Sequence, residues 1–137
     1  MKDIKFRGRD IKTGKWIVGS LYCFDNPLPE GGIITEVIPL GTEGYYPQVD
    51  PETVGQYTTR NDKNGKEIFD GDIVRDEYGN VGKVFWEDAM LSWRINYNMG
   101  NVWLANEPQL EIIGNVYDNP GLLEERRRGR ENETDDM

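Results

Sequence analysis

The chain has 137 residues and a formal net charge of -9 at pH 7, with 25 acidic side chains, 16 basic side chains and no histidine. This length is enough for one compact domain or two small subdomains, and it excludes a large multidomain enzyme. The acidic balance argues against free-standing binding to duplex DNA or RNA, because such binding normally needs a basic stripe that releases phosphate counterions.

Strand signals dominate the first part of the chain. Ile4–Arg7 and Lys15–Tyr22 alternate or carry β-branched and aromatic residues, which predicts an N-terminal β-hairpin. The prolines and glycines of Asp25–Gly32 predict a loop, and Ile33–Ile38 follows as a further strand. Asp50–Val54 predicts a short turn of helix, because its first residue can cap and a proline follows it.

The segment Val49–Val74 packs turn signals and strand signals together. Asn64-Gly65 is the pair that tolerates positive φ at both centres of a tight hairpin turn, with strands predicted at Gln56–Thr59 and Lys66–Phe69. Asp70-Gly71 is a second turn signal of this kind a few residues later. We interpret the acids and glycines of this segment as turn residues, with ligand binding as the alternative.

The second part of the chain is more regular. Alternation is clearest at 91–97, where apolar and polar side chains follow each other residue by residue. Asp118-Asn119-Pro120 predicts a short C-terminal helix through Leu123. The predicted strands are 72–76, 81–86, 91–97, 101–104 and 110–117.

The predicted fold is therefore mainly β. We expect a β-rich subdomain with the N-terminal hairpin over residues 1–71, and an SH3-like small barrel over 72–123 by analogy of pattern. The charged residues 124–137 are predicted to form a disordered tail after the short helix.

The residue types give little support for a catalytic site or a metal-binding site. The lack of histidine removes Ser-His-Asp and Cys-His catalysis and most catalytic zinc sites. Cys23 is the single cysteine, and its apolar neighbours predict a buried residue and not a nucleophile. A calcium-loop resemblance around Gly65 fails, because Arg60 and Gly71 would stand at ligand positions. No catalytic residue, metal ligand or cofactor is predicted.

Aromatic residues supply the candidate interaction surface. Such residues are enriched at protein interfaces, although a small barrel also uses them as core. The candidates in the predicted barrel are Trp86, Trp93, Trp103 and Tyr97. A second candidate contact is the arginine cluster of the tail, formed by Arg126, Arg127, Arg128 and Arg130, although flanking acids favour a solvated helix end.

Several runs of the chain resemble the YopX family of small proteins encoded by bacteriophages and prophages. The resemblance implies a phage or prophage origin and a mainly β architecture, and it carries over no catalytic residue and no assigned activity. The resembling runs are Lys5-Phe6-Arg7, Val54-Gly55-Gln56-Tyr57-Thr58, Asp62-Lys63-Asn64-Gly65-Lys66-Glu67-Ile68, Asp70-Gly71-Asp72-Ile73-Val74 and Ile113-Gly114-Asn115-Val116-Tyr117-Asp118-Asn119-Pro120 with Leu122-Leu123.

The leading functional hypothesis is a non-enzymatic protein-binding module that acts in the cytoplasm of a bacterial host, with a protein partner or its own copies. Cytoplasmic residence is expected because the N-terminus lacks the apolar run of a secretory signal and no stretch could span a membrane. Nucleic-acid binding through an aromatic barrel face or the arginine tail is the alternative. A carboxylate-based enzyme acting on a glycoside is the third hypothesis.

Overall fold

The computed structural model of the chain describes residues 4–39 and 44–124. The chain divides into two compact units, one from Met1 to Thr59 and one that begins at Arg60. The sequence interpretation sets its boundary later, between Gly71 and Asp72.

The first unit is an antiparallel sheet with the strand order β3-β2-β1-β4. Its strands are β1 at Phe6–Asp10, β2 at Trp16–Asp25, β3 at Ile33–Pro39 and β4 at Val49–Asn61, whose last two residues belong to the second unit. β1 and β2 pair as an antiparallel hairpin, which confirms the predicted N-terminal hairpin.

Side-chain alternation separates a buried face of this sheet from an outer face. Thr35 and Val37 of β3 are buried, and Val49 of β4 is fully buried. Gly8 of β1 packs so closely on this side that a Cβ atom there would lie 2.8 Å from a methyl carbon of Val49. Because the side-chain period of a strand is two, the intervening residue Glu36 points to the other face.

β2 and β3 extend past the end of β1 as a two-stranded ribbon. β1 pairs with β2 only from Trp16 to Gly19, whereas β3 pairs with β2 from Gly19 to Asp25. Cys23 lies in this ribbon and is exposed, so the prediction that it is buried is wrong. The physical reason is that its strand has a neighbour on one edge only at this position.

β4 contains a second correction. The helical turn predicted at Asp50–Val54 is wrong, because these residues form part of an extended strand. Asp50 does cap locally, since its Oδ1 accepts the N–H of Glu52 at 3.0 Å and its carbonyl oxygen accepts the hydroxyl of Thr53 at 2.6 Å. The β1–β4 register shifts opposite this segment, so the Asp-Pro signal produces an irregularity of the strand and not a helix.

The second unit contains a five-stranded antiparallel sheet with the order β10-β6-β7-β8-β9. Residues 121–124 form a short helix, and 3-10 turns lie at Asp88–Met90 and Leu104–Asn106. The core of this unit is built from Ile68, Val74, Val84, Ile95, Tyr97, Leu104 and Leu110. The strands are β5 at Glu67–Phe69, β6 at Asp72–Arg75, β7 at Val81–Glu87, β8 at Ser92–Tyr97, β9 at Gly100–Trp103 and β10 at Glu111–Asn115.

These elements confirm the mainly β architecture and the short C-terminal helix. No hydrogen-bonded pairing joins β9 to β10 in the described part of the chain, so the SH3-like barrel stays a prediction. Residues 125–137 of the predicted tail, including all four candidate arginines, lie outside the described residues.

Two turns of the second unit share the pattern Asp-x-x-Gly, at Asp62–Gly65 and Asp76–Gly79. In each turn the Asp Oδ1 accepts the N–H groups two and four residues later, at 2.8 to 2.9 Å. Gly65 and Gly79 have φ of 81° and 87°, the left-handed region that glycine tolerates. Asn64 has no positive φ, so the predicted turn with two such residues is wrong at that position.

Asp62 also joins its turn to β10. Its buried side chain accepts the backbone N–H of Ile112 on Oδ2 at 3.0 Å. Burial raises the pKa of this carboxyl, but the backbone hydrogen bonds from Ile112, Lys66 and Asn64 together lower it by more, so the pKa lies below its ordinary value of 3.8. This acid of the Val49–Val74 segment therefore has a structural role in a turn.

Acid should remove the stabilisation that Asp62 provides. Because its folded-state pKa is below its unfolded-state pKa, the contribution is complete above the unfolded value and is lost as the pH falls through the folded value. We expect Asp62→Asn to be less stable than the wild type at pH 7, and the difference to shrink steadily below about pH 4. Urea unfolding followed by circular dichroism at pH 7, 5, 4 and 3 measures the difference. A difference that is constant across this range would contradict the assignment.

Candidate functional site

An open apolar groove lies on the outer face of the β2–β3 ribbon. The register places Tyr22 opposite Glu36 and Phe24 opposite Ile34, and these residues point away from the buried Val37. The groove has a volume of about 430 Å³. Its lining residues are Tyr22, Phe24, Glu36, Ile38 and Tyr46, and we call it the β2–β3 groove.

Aromatic rings form most of the groove surface. The ring centroids of Tyr22 and Phe24 are 5.4 Å apart with an interplanar angle of 37°, a favourable spacing for two rings. Tyr22 is 52% exposed and Tyr46 is 56% exposed. Pro47 follows Tyr46, and its carbonyl oxygen accepts the N–H of Val37 at 3.4 Å. This hydrogen bond holds the segment beside β3. The groove is therefore apolar, open to solvent and built on paired strands.

Glu36 is the one charged side chain among the residues that line the groove. Its backbone is bridged to Gln48, which fixes its position on β3. Within the described residues, no Lys or Arg lies within ion-pair distance of its carboxylate. The groove thus combines an aromatic surface with one carboxylate that has no cationic partner in the described part of the chain.

The aromatic residues predicted from the sequence do not form one surface. Trp86 and Trp93 are directly opposite each other on β7 and β8, with ring centroids 5.4 Å apart in an edge-to-face arrangement. Trp93 packs against the core, while Trp86 is 42% exposed. Tyr97 belongs to the buried core, and burial raises the pKa of its hydroxyl. Trp86, Trp93 and Tyr97 lie on the face of the sheet that carries the core, and of these three only Trp86 is substantially exposed.

Trp103 lies on the opposite face of the same sheet, where it is 39% exposed. It stands opposite Arg94 in the β8–β9 register, and the guanidinium carbon of Arg94 is 4.0 Å from the Trp103 ring centroid. Arg94 also donates to the carbonyl oxygen of Asn101 at 3.0 Å, and its Nε is 3.6 Å from a carboxylate oxygen of Glu87. The buried guanidinium of Arg94 therefore makes a cation–π contact with the Trp103 ring. Whether Trp86 or Trp103 contacts a partner stays a prediction.

Basic and aromatic side chains meet on β1 and its neighbours in the first unit. The guanidinium carbons of Arg7 and Arg9 lie 4.8 and 5.0 Å from the ring centroid of Trp16. The ammonium of Lys5 lies 5.1 Å from the ring centroid of Tyr57. Cations that alternate with aromatic rings on a sheet are also found where proteins bind single-stranded nucleic acid.

A polar cleft of about 520 Å³ in the second unit brings carboxylates together. Glu111 forms ion pairs with both cations that line this cleft. Its Oε2 is 3.2 Å from Lys63 Nζ and 3.4 Å from Arg75 Nη2. Hydrogen bonds from Lys63 and Arg75 lower the pKa of Glu111. A general acid for glycoside cleavage needs a raised pKa, so Glu111 lacks that property. Asp76 and Glu77 also line the cleft.

A comparison with protein families covers both units. Residues 5–124 match the family model described as YopX protein. The chain belongs to the YopX family. This membership confirms the resemblance predicted from the sequence, and the matched range includes the β2–β3 groove and the Asp62 turn. A comparison with curated proteins finds no match.

The described residues of this YopX-family chain contain neither a membrane-spanning helix nor a metal-binding cluster. Within residues 4–39 and 44–124, no helix has the length and apolar character needed to cross a bilayer. In the same residues, no group of three or more His, Cys, Asp or Glu side chains is arranged to hold a metal ion.

Sequence reasoning missed the β2–β3 groove. The available signal was that β2 is apolar on both faces, since Leu21 alternates with Tyr22 and Phe24. One face of such a strand covers the core, and the other face then needs a neighbour or remains open. The aromatic residue Tyr46 also lines this groove and is more than half exposed.

Proposed function

We propose that this YopX-family chain is a non-enzymatic protein-binding module of phage or prophage origin that acts in the host cytoplasm. The observation that carries the proposal is the β2–β3 groove, an aromatic surface on the solvent side of a strand pair whose other side carries the buried Thr35 and Val37. Exposed apolar patches of this kind mark interaction sites, and aromatic residues are enriched in them.

The proposal gains support from the way the groove is built. Tyr22 and Phe24 are held by strand pairing and by each other, so binding would order few additional groups. Preorganised aromatic side chains with little rotamer freedom are the residues that dominate binding energy in protein interfaces. A partner that covers Tyr22 and Tyr46 would remove from water two side chains that are each more than half exposed.

Tyrosine substitutions test this proposal. The immobilised full chain is used to capture proteins from prophage-induced cells, and the captured partner is then purified and titrated directly. Tyr22→Ser and Tyr46→Ser should each weaken binding by about tenfold or more, because truncation of a central interface aromatic costs about 2 kcal/mol. Tyr78→Ser is the matched control, since Tyr78 is 80% exposed and lies in the second unit. A partner that binds all four proteins equally, or no specific partner, would refute the proposal.

Nucleic-acid binding is the second candidate function, and the two arginines of β1 beside Trp16 of β2 favour it. Fluorescence anisotropy with a single-stranded DNA oligonucleotide at 50 and 200 mM salt provides the test. This function predicts binding that weakens strongly with salt and is lost in Trp16→Ala or after deletion of residues 125–137. Absence of binding at 50 mM salt would eliminate it.

A further inference from the structure

We propose that the β2–β3 groove binds a short extended segment of a partner protein with the pattern apolar-x-cation-x-apolar, in which a Lys or Arg pairs with Glu36. This inference rests on the proposed protein-binding function and specifies the chemistry of the partner. The pattern follows from the order of side chains along the two strands.

Three successive rungs of the ribbon define the pattern. The outer rung pairs Phe24 with Ile34, and the middle rung pairs Tyr22 with Glu36. The inner rung pairs Ser20 with Ile38. Apolar side chains thus lie on both sides of the single carboxylate. Residues two apart on a strand are about 6.6 Å apart, so an extended segment along the groove presents its first, third and fifth side chains at matching intervals.

Charge complementarity selects a cation for the middle position. Glu36 has no Lys or Arg within ion-pair distance among the described residues, and it is half-buried among the residues that line the groove. A partner carboxylate at this position would meet a like charge beside an apolar surface. The whole chain carries a net charge of -9, which favours a basic partner segment during encounter as well.

A second copy of the chain fits this groove less well. In a two-fold symmetric contact the same surface meets itself, so a contact centred on the groove would bring two Glu36 carboxylates together. The like net charges of the two copies would oppose association further. A heterologous partner with a cation avoids both costs.

The test uses three synthetic peptides on a sensor surface, with Leu-Ser-Lys-Ser-Leu, Leu-Ser-Gln-Ser-Leu and Leu-Ser-Glu-Ser-Leu as their central residues. The full chain should bind the Lys peptide about twofold to fivefold more tightly than the Gln peptide, as expected for a partly exposed ion pair. Glu36→Gln should abolish this preference, and Glu36→Lys should reverse it in favour of the Glu peptide. Glu52→Lys is the matched control, since it makes the same charge change at an exposed residue of β4.

The outcomes separate this inference from the proposed function. Binding that is lost in Tyr22→Ser but does not distinguish the peptides would overturn the role of Glu36 and leave the groove as a protein-binding site. Equal binding by the wild type and Tyr22→Ser, or no binding, would overturn the peptide pattern, while the capture experiment decides the function separately. A dimer in light scattering that Tyr22→Ser converts to a monomer would assign the groove to a second copy and overturn the inference.

Discussion

Gly19→Ala is expected to destabilise the first unit by about 3 kcal/mol and to open the β2–β3 ribbon. A Cβ atom at Gly19 would overlap the carbonyl oxygen of Ile38 and would lie 2.6 Å from its carbonyl carbon and 3.0 Å from Pro39 Cα. These are backbone atoms, so no side-chain rotation can relieve the contact. Because Gly19 pairs with Pro39, the strands must separate at the end of the groove that carries Ile38.

Hydrogen exchange measured peptide by peptide tests this expectation. Amides of β2 and β3 should exchange faster in Gly19→Ala than in the wild type, and partner binding through the groove should weaken in parallel. Gly121→Ala is the control, since a Cβ atom there would meet nothing within 4 Å. It should change stability by less than about 0.5 kcal/mol. Unchanged exchange of β2 and β3 in Gly19→Ala would show that the two strands are not in this close contact.

Asp62→Ala is expected to destabilise the second unit by about 3 kcal/mol. The substitution removes the acceptor of three backbone N–H groups, those of Asn64, Lys66 and Ile112. The bond to Ile112 matters most, because it links the turn to β10 and its loss leaves a partly buried donor without a partner. Urea unfolding of the full chain followed by circular dichroism measures the change.

Asp76→Ala is the matched control for this substitution. Asp76 holds the same Asp-x-x-Gly turn with the same two local backbone hydrogen bonds, made by Tyr78 and Asn80. These donors are exposed, so water can replace the carboxylate, and the expected cost is about 1 kcal/mol. Equal effects of the two substitutions would mean that the Asp62–Ile112 bond adds nothing to the stability of the second unit.

Much of the fold could be predicted from the sequence because local signals and the final pairing agree. The five strands predicted from residue 72 onward correspond to β6–β10, since turn residues separate them and alternation is clear at 91–97. The Asp70-Gly71 turn was predicted for the same reason, and Gly71 has φ of 89°. The prediction failed at Asp50–Val54, because the local capping of Asp50 was indistinguishable from a helix start until strand pairing with β1 decided the outcome.

The candidate site was harder to predict, because it depends on which strand covers which face. The residue types grouped Trp86, Trp93 and Trp103 as one candidate surface, but strand register was needed to show that Trp103 lies on the other face with Arg94. The β2–β3 groove lies where β2 and β3 extend past the end of the shorter β1. A difference in strand length is not a local property of the sequence. Single-residue patterns contain no information about that difference.

If a partner protein binds in the β2–β3 groove, site-specific photo-crosslinking should capture it from that position. Benzoylphenylalanine is introduced at Tyr22, or at the more exposed Tyr78 of the second unit, and the full chain is irradiated in prophage-induced cells. We expect one discrete protein adduct from position 22 and none of that mass from position 78. The absence of a protein adduct at position 22, or the same adduct from both positions, would contradict it.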